Sequence, residues 1–121
     1  VGKNGVKNCF PSRYRLLKRS DFLHVANMGC KIVTPHFIIC YMENVHSHAR
    51  LGVTVSKKIG NAVLRNKLKR YLREFFRNNK NIFKNNYDFS IIARNKISNI
   101  NHEKLNLLLT NTIKNEFNKH L

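Results

Sequence analysis

Lys57, Lys58, Arg65, Lys67, Lys69, Arg70, Arg73 and Arg77 fall in one short stretch whose single acid is Glu74. Side chains of these types grip phosphate. Arginine offers a planar fork of donors and lysine a compact point charge. Asn61 and Asn66 add amides that both donate and accept. Gly60 sits where an alternating pattern gives way to a helical one, so the stretch reads as strand end, basic turn and helix. The start of a helix has unpaired N–H groups and a positive dipole, and Lys57 and Lys58 stand beside it. Arg65, Asn66 and Lys67 are consecutive and fan around the helix. An RNA wrapping past the helix end, or contacted at two strands, accounts for that fan. The alternative is a solvated helix with cations kept for solubility, and the lack of balancing acids weighs against it.

Other chemistries find little to work with. Two-metal hydrolysis needs clustered carboxylates, yet Asp21, Glu43, Glu74, Asp88, Glu103 and Glu116 are scattered singly. Cys30, His36, Cys40, His46 and His48 lack the ligand spacing of a zinc finger or ribbon. Cys40 lies in an apolar run and reads as a packed core thiol. His46 and His48 fall in a polar loop, and His24 is expected at the surface. Cys9, Cys30 and Cys40 form no paired framework, which suits a reducing compartment.

Composition points the same way. Twenty-three Lys plus Arg oppose six Asp plus Glu, a formal net charge of +17 on 121 residues. A folded domain with that excess repels itself unless a polyanion neutralises it, and nucleic acid does so with release of counterions. A hydrophobic fraction of 42% is ample for one core, so this is no disordered basic tail. No apolar run has the length of a membrane span. The opening Val1-Gly2-Lys3-Asn4-Gly5 has no signal-peptide core.

The elements that must position these cations follow from periodicity. Residues 1–12 read as a basic flexible arm and 13–121 as one domain. Ser20 to Met28 reads as a short helix, with Ser20 as N-cap, Asp21 at the positive end of the dipole and Gly29 as the stop. Lys31–Thr34, Phe37–Met42 and Leu51–Ser56 read as strands, a meander being the simplest connection. From Asn61 to Asn78, Leu64, Leu68, Tyr71, Leu72 and Phe75 share an apolar face. Asn66, Lys69, Arg70, Arg73 and Arg77 occupy a roughly 100° arc opposite. Tyr87–Ala93 is a fourth strand. His102–Asn118 is a last helix, its core stripe made by Leu105, Leu108, Leu109, Thr112, Ile113 and Phe117. Leu68, Leu72, Phe75, Val53 and Ile91 are expected in the core. The order is αβββαβα, an α/β (α+β) fold. The Asn-rich pieces Asn78-Asn79 and Asn85-Asn86 read as codon bias.

The block SKKIGNAVLRNKLKRYLRE, Ser56 to Glu74, resembles the strand-to-helix block of the bacterial ribonuclease P protein family. Arg15-Leu16, Asp21-Phe22, the Phe37 strand, Arg50-Leu51-Gly52-Val53 and Tyr87-Asp88 to Ala93-Arg94 fit in order, so the likeness spans about residues 13–118. The resemblance implies a two-layer sandwich, ribosomal-protein-S5-domain-2-like, whose four-stranded sheet is packed by helices, with a left-handed βαβ crossover. It implies a protein subunit of an endoribonuclease whose catalytic part is RNA and which removes the 5′ leader of precursor tRNA. The implied partners are ribonuclease P RNA and precursor tRNA, one protein per RNA, in the bacterial cytoplasm and away from membrane. Mg²⁺ would act through the RNA subunit.

By motif, Arg65, Asn66 and Lys67 take the family's Arg-Asn-Arg positions, and Lys57, Lys58, Asn61, Lys69, Arg70 and Arg73 match the surrounding RNA-binding block. The implied leader cleft lies between the sheet and the first helix. Phe22 and Phe37 match aromatic positions there, while Ala26 and Cys40 stand where the family often has aromatics. Lys67 keeps charge but loses the arginine fork. With stacking reduced, the leader grip is expected to rest more on charge. Among rivals, a helix-turn-helix protein needs two helices joined by a short turn, whereas this basic helix is flanked by strands. A ribosomal protein shares the charge and is distinguished by the Lys57–Asn61 and Arg65-Asn66 block. A membrane-active protein would expose the apolar face that here must cover the sheet.

Overall fold

Strand-forming runs and two long amphipathic stretches dominate the computed structural model, which describes residues 12–95, 97 and 101–118. The proposed arm lies outside them except for Ser12, which opens a 3₁₀ turn, Ser12–Tyr14. The elements that follow are α1 (Arg19–Met28), β1 (Cys30–Val33), β2 (Phe37–Glu43) and β3 (Arg50–Thr54). A second 3₁₀ turn (Lys57–Ile59), α2 (Ala62–Asn78), β4 (Tyr87–Ala93) and α3 (His102–Asn118) complete the chain. The order αβββαβα is as read. No described helix is long and apolar enough to cross a membrane.

The meander is not formed. The sheet order is β1-β2-β4-β3, so β4 enters between β2 and β3. It pairs antiparallel with β2 and parallel with β3. A parallel neighbour demands a long crossover, and α2 supplies it. β3 has its own cover, because Arg15 bridges to Leu51 and the Leu16 amide donates to the Leu51 carbonyl at 3.0 Å.

Strand parity sorts the side chains into two faces. Phe37, Ile39 and Tyr41 of β2 lie opposite Ala93, Ile91 and Phe89 of β4. With Leu51, they meet Leu72, Phe75 and Phe76 of α2 and Leu105, Leu109, Ile113 and Phe117 of α3 in the main core. Aromatic rings fill much of it: Phe76 lies 4.7 Å from Phe83, and Phe117 lies 5.1 Å from Tyr41, centroid to centroid. On the other face α1 presses Val25 onto Cys40 and Leu16, with Phe22, Ile38, Met42 and Ile92 around them. Val53, Leu64, Leu68, Tyr71 and Leu108 are half-buried at the edge of the main core.

Local details depart from expectation. Helix α1 begins one residue early, so Ser20 is inside it; the cap position is Lys18, which makes no side-chain cap bond. Gly29 does end the helix. Its backbone is extended there, and a Cβ would press within 2.6 Å of the Val25 carbonyl oxygen. Asn86, in the Asn-rich connection, has φ of 60°, a left-handed geometry that asparagine tolerates. Its carbonyl accepts from the Asn44 amide at 2.7 Å, tying the start of β4 to the end of β2.

Candidate nucleic-acid interface

The basic block is held by apolar pegs on either side. Val55 and Ile59 are buried, so the turn between them thrusts Lys57 and Lys58 into solvent. Asn61 caps α2, its side-chain oxygen accepting from the Leu64 amide at 2.9 Å. A residue read as an RNA contact is therefore first a helix cap. Gly60 lets Leu64 lie against the turn, since a Cβ would come within 2.6 Å of a Leu64 methyl. The Arg65 Nε donates to the Gly60 carbonyl at 3.1 Å. That bond braces the guanidinium against the turn and leaves its two terminal nitrogens for another acceptor.

Further along α2, Asn66, Lys67 and Arg70 are exposed, and Lys69 and Arg73 are half-buried. None of Lys57, Lys58, Lys67, Lys69 or Arg70 pairs with a carboxylate among the described residues, where both ion pairs belong to Arg50. A face of this kind has no internal counter-charge, which favours a polyanion. The structure adds a residue that sequence alone did not place: Arg15, from the bridge beside β3, reaches the neighbourhood of Arg73. Burial lowers the Arg73 pKa, and the charge of Arg15 lowers it further. No periodicity links positions 15 and 73, so only the fold could bring them together.

The four residues read as a leader cleft do not share one surface. Phe22 and Ala26 are half-buried on α1. Phe22 lies over Gly52, where a Cβ would strike its ring. Cys40 is on the same sheet face but is 1% exposed, covered by Val25 and Leu16. Burial raises its thiol pKa, offset in part by Lys31. Phe37 is a correction. Its exposure is 0%, and by parity it points into the main core on the opposite face. Ile38, its neighbour in sequence, faces α1 instead, and Lys31 and Val33 of β1 stand exposed on that same side.

Asp21, Asp88 and Glu116 are tied into the scaffold. Asp88, buried, accepts from Arg50 Nε at 2.8 Å, Arg50 Nη2 at 2.7 Å and Asn44 Nδ2 at 2.7 Å. Asp21 of α1 lies 3.9 Å from Arg50, joining α1 to the same group. Tyr41 donates to Glu116. Cys30 pairs across from Tyr41 and Lys31 across from Cys40, so the two described thiols point to opposite faces and cannot ligate one ion. Among the described residues no three His, Cys, Asp or Glu side chains gather as a metal site. His24 is exposed, and His48 Nε2 lies 2.8 Å from the Arg13 carbonyl oxygen.

Comparison with known proteins identifies the family and the fold. The family model described as Ribonuclease P matches residues 10–116. The ribonuclease P protein component of Desulforapulum autotrophicum is 41% identical over 96 residues, 79% of this chain and 82% of that protein. That of Geotalea uraniireducens is 39% identical over 104 residues, 86% and 91% of the two chains. Among solved structures, the RNase P protein from Thermotoga maritima superposes with a TM-score of 0.77 at 34% identity, covering 84% of this chain and 96% of that one. The Staphylococcus aureus RNase P protein gives 0.71 at 35% identity, covering 84% and 90%.

Proposed function

Because the chain belongs to the bacterial ribonuclease P protein family, we propose that its α2 block holds ribonuclease P RNA while its α1 face meets the 5′ leader of precursor tRNA. The chain is the protein component of a ribonucleoprotein endoribonuclease that matures tRNA 5′ ends, with catalysis by the RNA subunit. Lys57, Lys58, Arg65, Asn66, Lys67, Lys69, Arg70 and Arg73 are the proposed RNA contacts, with Asn61 acting mainly by fixing the helix start. The observation that carries this assignment is the cation face of α2, where Lys67, Lys69 and Arg70 meet no carboxylate among the described residues and Arg65 is braced against the turn.

Phe22 and Ala26 are the proposed leader contacts, with Lys31 supplying charge alongside. Cys40 supports them from beneath. Mg²⁺ is assigned to the RNA: Asp21 and Asp88 serve Arg50, Glu116 serves Tyr41, and the other acids stand singly on different elements. One copy of residues 13–121 per RNA, acting as a single RNA-binding domain in the bacterial cytoplasm, completes the reading. Cys30 and Cys40, both free thiols, suit that compartment.

Reconstitution tests it: cleavage of precursor tRNA at low Mg²⁺ by a bacterial ribonuclease P RNA, with and without this protein. Correct 5′ cleavage only with both supports the reading. Binding no tighter than to random RNA, with no rescue of cleavage, refutes it.

A further inference from the structure

Between the first turns of α2 and the start of α3 lies a cavity of about 300 Å³. Ile59, Leu64, Leu68, Ile97 and Leu105 make it apolar, and Lys67, Tyr71, Asn101 and His102 reach its rim and walls. The Tyr71 and His102 rings stand 4.6 Å apart at 42°. They are held together by a hydrogen bond from the Tyr71 hydroxyl to the His102 carbonyl at 3.4 Å. Beyond this ring pair a second hollow opens, bordered by Glu74 and Glu103.

The groove is thus divided by charge. Its apolar half is enclosed by the elements that carry the cations: Ile59 ends the turn bearing Lys57 and Lys58, and Lys67 stands on its own wall. The other half repels phosphate. We infer that the apolar half receives one unstacked nucleobase of bound RNA, with Tyr71 and His102 as its stacking surface and Lys67 on the adjoining phosphate. This rests on the reading that α2 faces RNA. The occupant follows from complementarity: an apolar slot with aromatic walls suits a flat ring, and its cationic rim suits the chain of phosphates to which that ring is attached.

The test uses the full chain and two single-stranded RNA hexamers of equal charge, one of adenylates and one abasic, followed by fluorescence anisotropy. The adenylate hexamer is expected to bind roughly 5- to 150-fold tighter, the span that stacking of one base supplies. That preference should fall to whatever Phe22 on the α1 face supplies when Leu68→Trp fills the slot, and shrink in part with His102→Ala, a change at an exposed position that spares the core. A 4-thiouridine hexamer should crosslink to the peptides containing Tyr71 or His102. Undiminished preference in both variants, or crosslinks confined to other segments, overturns the inference while leaving RNA binding intact. If neither hexamer binds at low salt, the RNA-facing reading of α2 fails too.

Discussion

Replacing Arg65 by alanine separates a phosphate contact from a folding contact. One of its three guanidinium nitrogens is committed to the Gly60 carbonyl at 3.1 Å, and the remaining pair can serve one phosphate. A charge-assisted hydrogen bond of that kind contributes about 1.5–3 kcal/mol, so affinity for ribonuclease P RNA should fall roughly 10- to 150-fold. Losing one phosphate contact should also flatten the dependence of log affinity on log salt by about 0.7–0.9. Filter binding over about 50–400 mM KCl at fixed Mg²⁺ reads both quantities. Arg65→Lys keeps the charge and loses the brace, and should fall between wild type and alanine. The lost bond to Gly60 also has a charged donor, so it costs at most about 1.5–3 kcal/mol of stability, which a urea titration of each variant measures. An unchanged salt slope with a uniform loss of affinity would refute the phosphate role, leaving Arg65 as a brace alone.

Other outcomes follow from the same geometry. Asp88→Ala should destabilise the protein by up to about 3–5 kcal/mol in urea denaturation, because it removes both short bonds to the half-buried Arg50 guanidinium and leaves it only Asp21 at 3.9 Å. A cost below about 1 kcal/mol, the worth of an exposed pair, would contradict that account. Phe76→Ala, at 1% exposure against Phe83, should cost about 3–5 kcal/mol while leaving the salt slope of RNA binding unaltered. Burial raises the hydroxyl pKa of Tyr41, Tyr71 and Tyr87, with the Glu116 hydrogen bond adding to the shift of Tyr41. The folded chain therefore keeps these protons longer than the unfolded one. The stability they contribute is full below the ordinary tyrosine value of about 10 and is lost as pH climbs through their folded values. Tyrosinate absorbance should titrate later in the native protein than in urea, and coincident curves would deny it. Finally, lengthening the leader of a precursor should add affinity that decays steeply with salt, given Ala26 and a covered Cys40 on that face. A shallow slope would mean stacking dominates after all.

Much of this architecture was open to reading from the chain alone. The period of Leu64, Leu68, Leu72 and Phe75 foretold α2 to within a residue, and the bounds of β4 and α3 were read correctly. Such features are local: the pattern that buries one face is written in neighbouring residues. Strand order is not local. Nothing within Leu51–Ser56 says that its partner is a strand more than thirty residues later. Parity within β2 was equally opaque, because Phe37 to Met42 is apolar on both faces, and an alternation that does not alternate cannot tell Phe37 from Ile38. Phe76 lies beside the apolar stripe and is buried because Phe83 arrives from the connection after α2, a contact that no periodicity within α2 encodes. The meeting of Arg15 with Arg73 needed the whole fold.

The order β1-β2-β4-β3 also governs how the chain comes off the ribosome. Among the described residues β4 is the last strand made, yet it is the only one that pairs with both β2 and β3. Until Ala93 emerges, the β1–β2 hairpin and β3 share no strand partner among the described residues, although α2 with its cations has already been made. A partly made subunit therefore carries the cations of α2 before its sheet is complete. Joining the two halves of the sheet therefore waits on the strand that follows the basic helix.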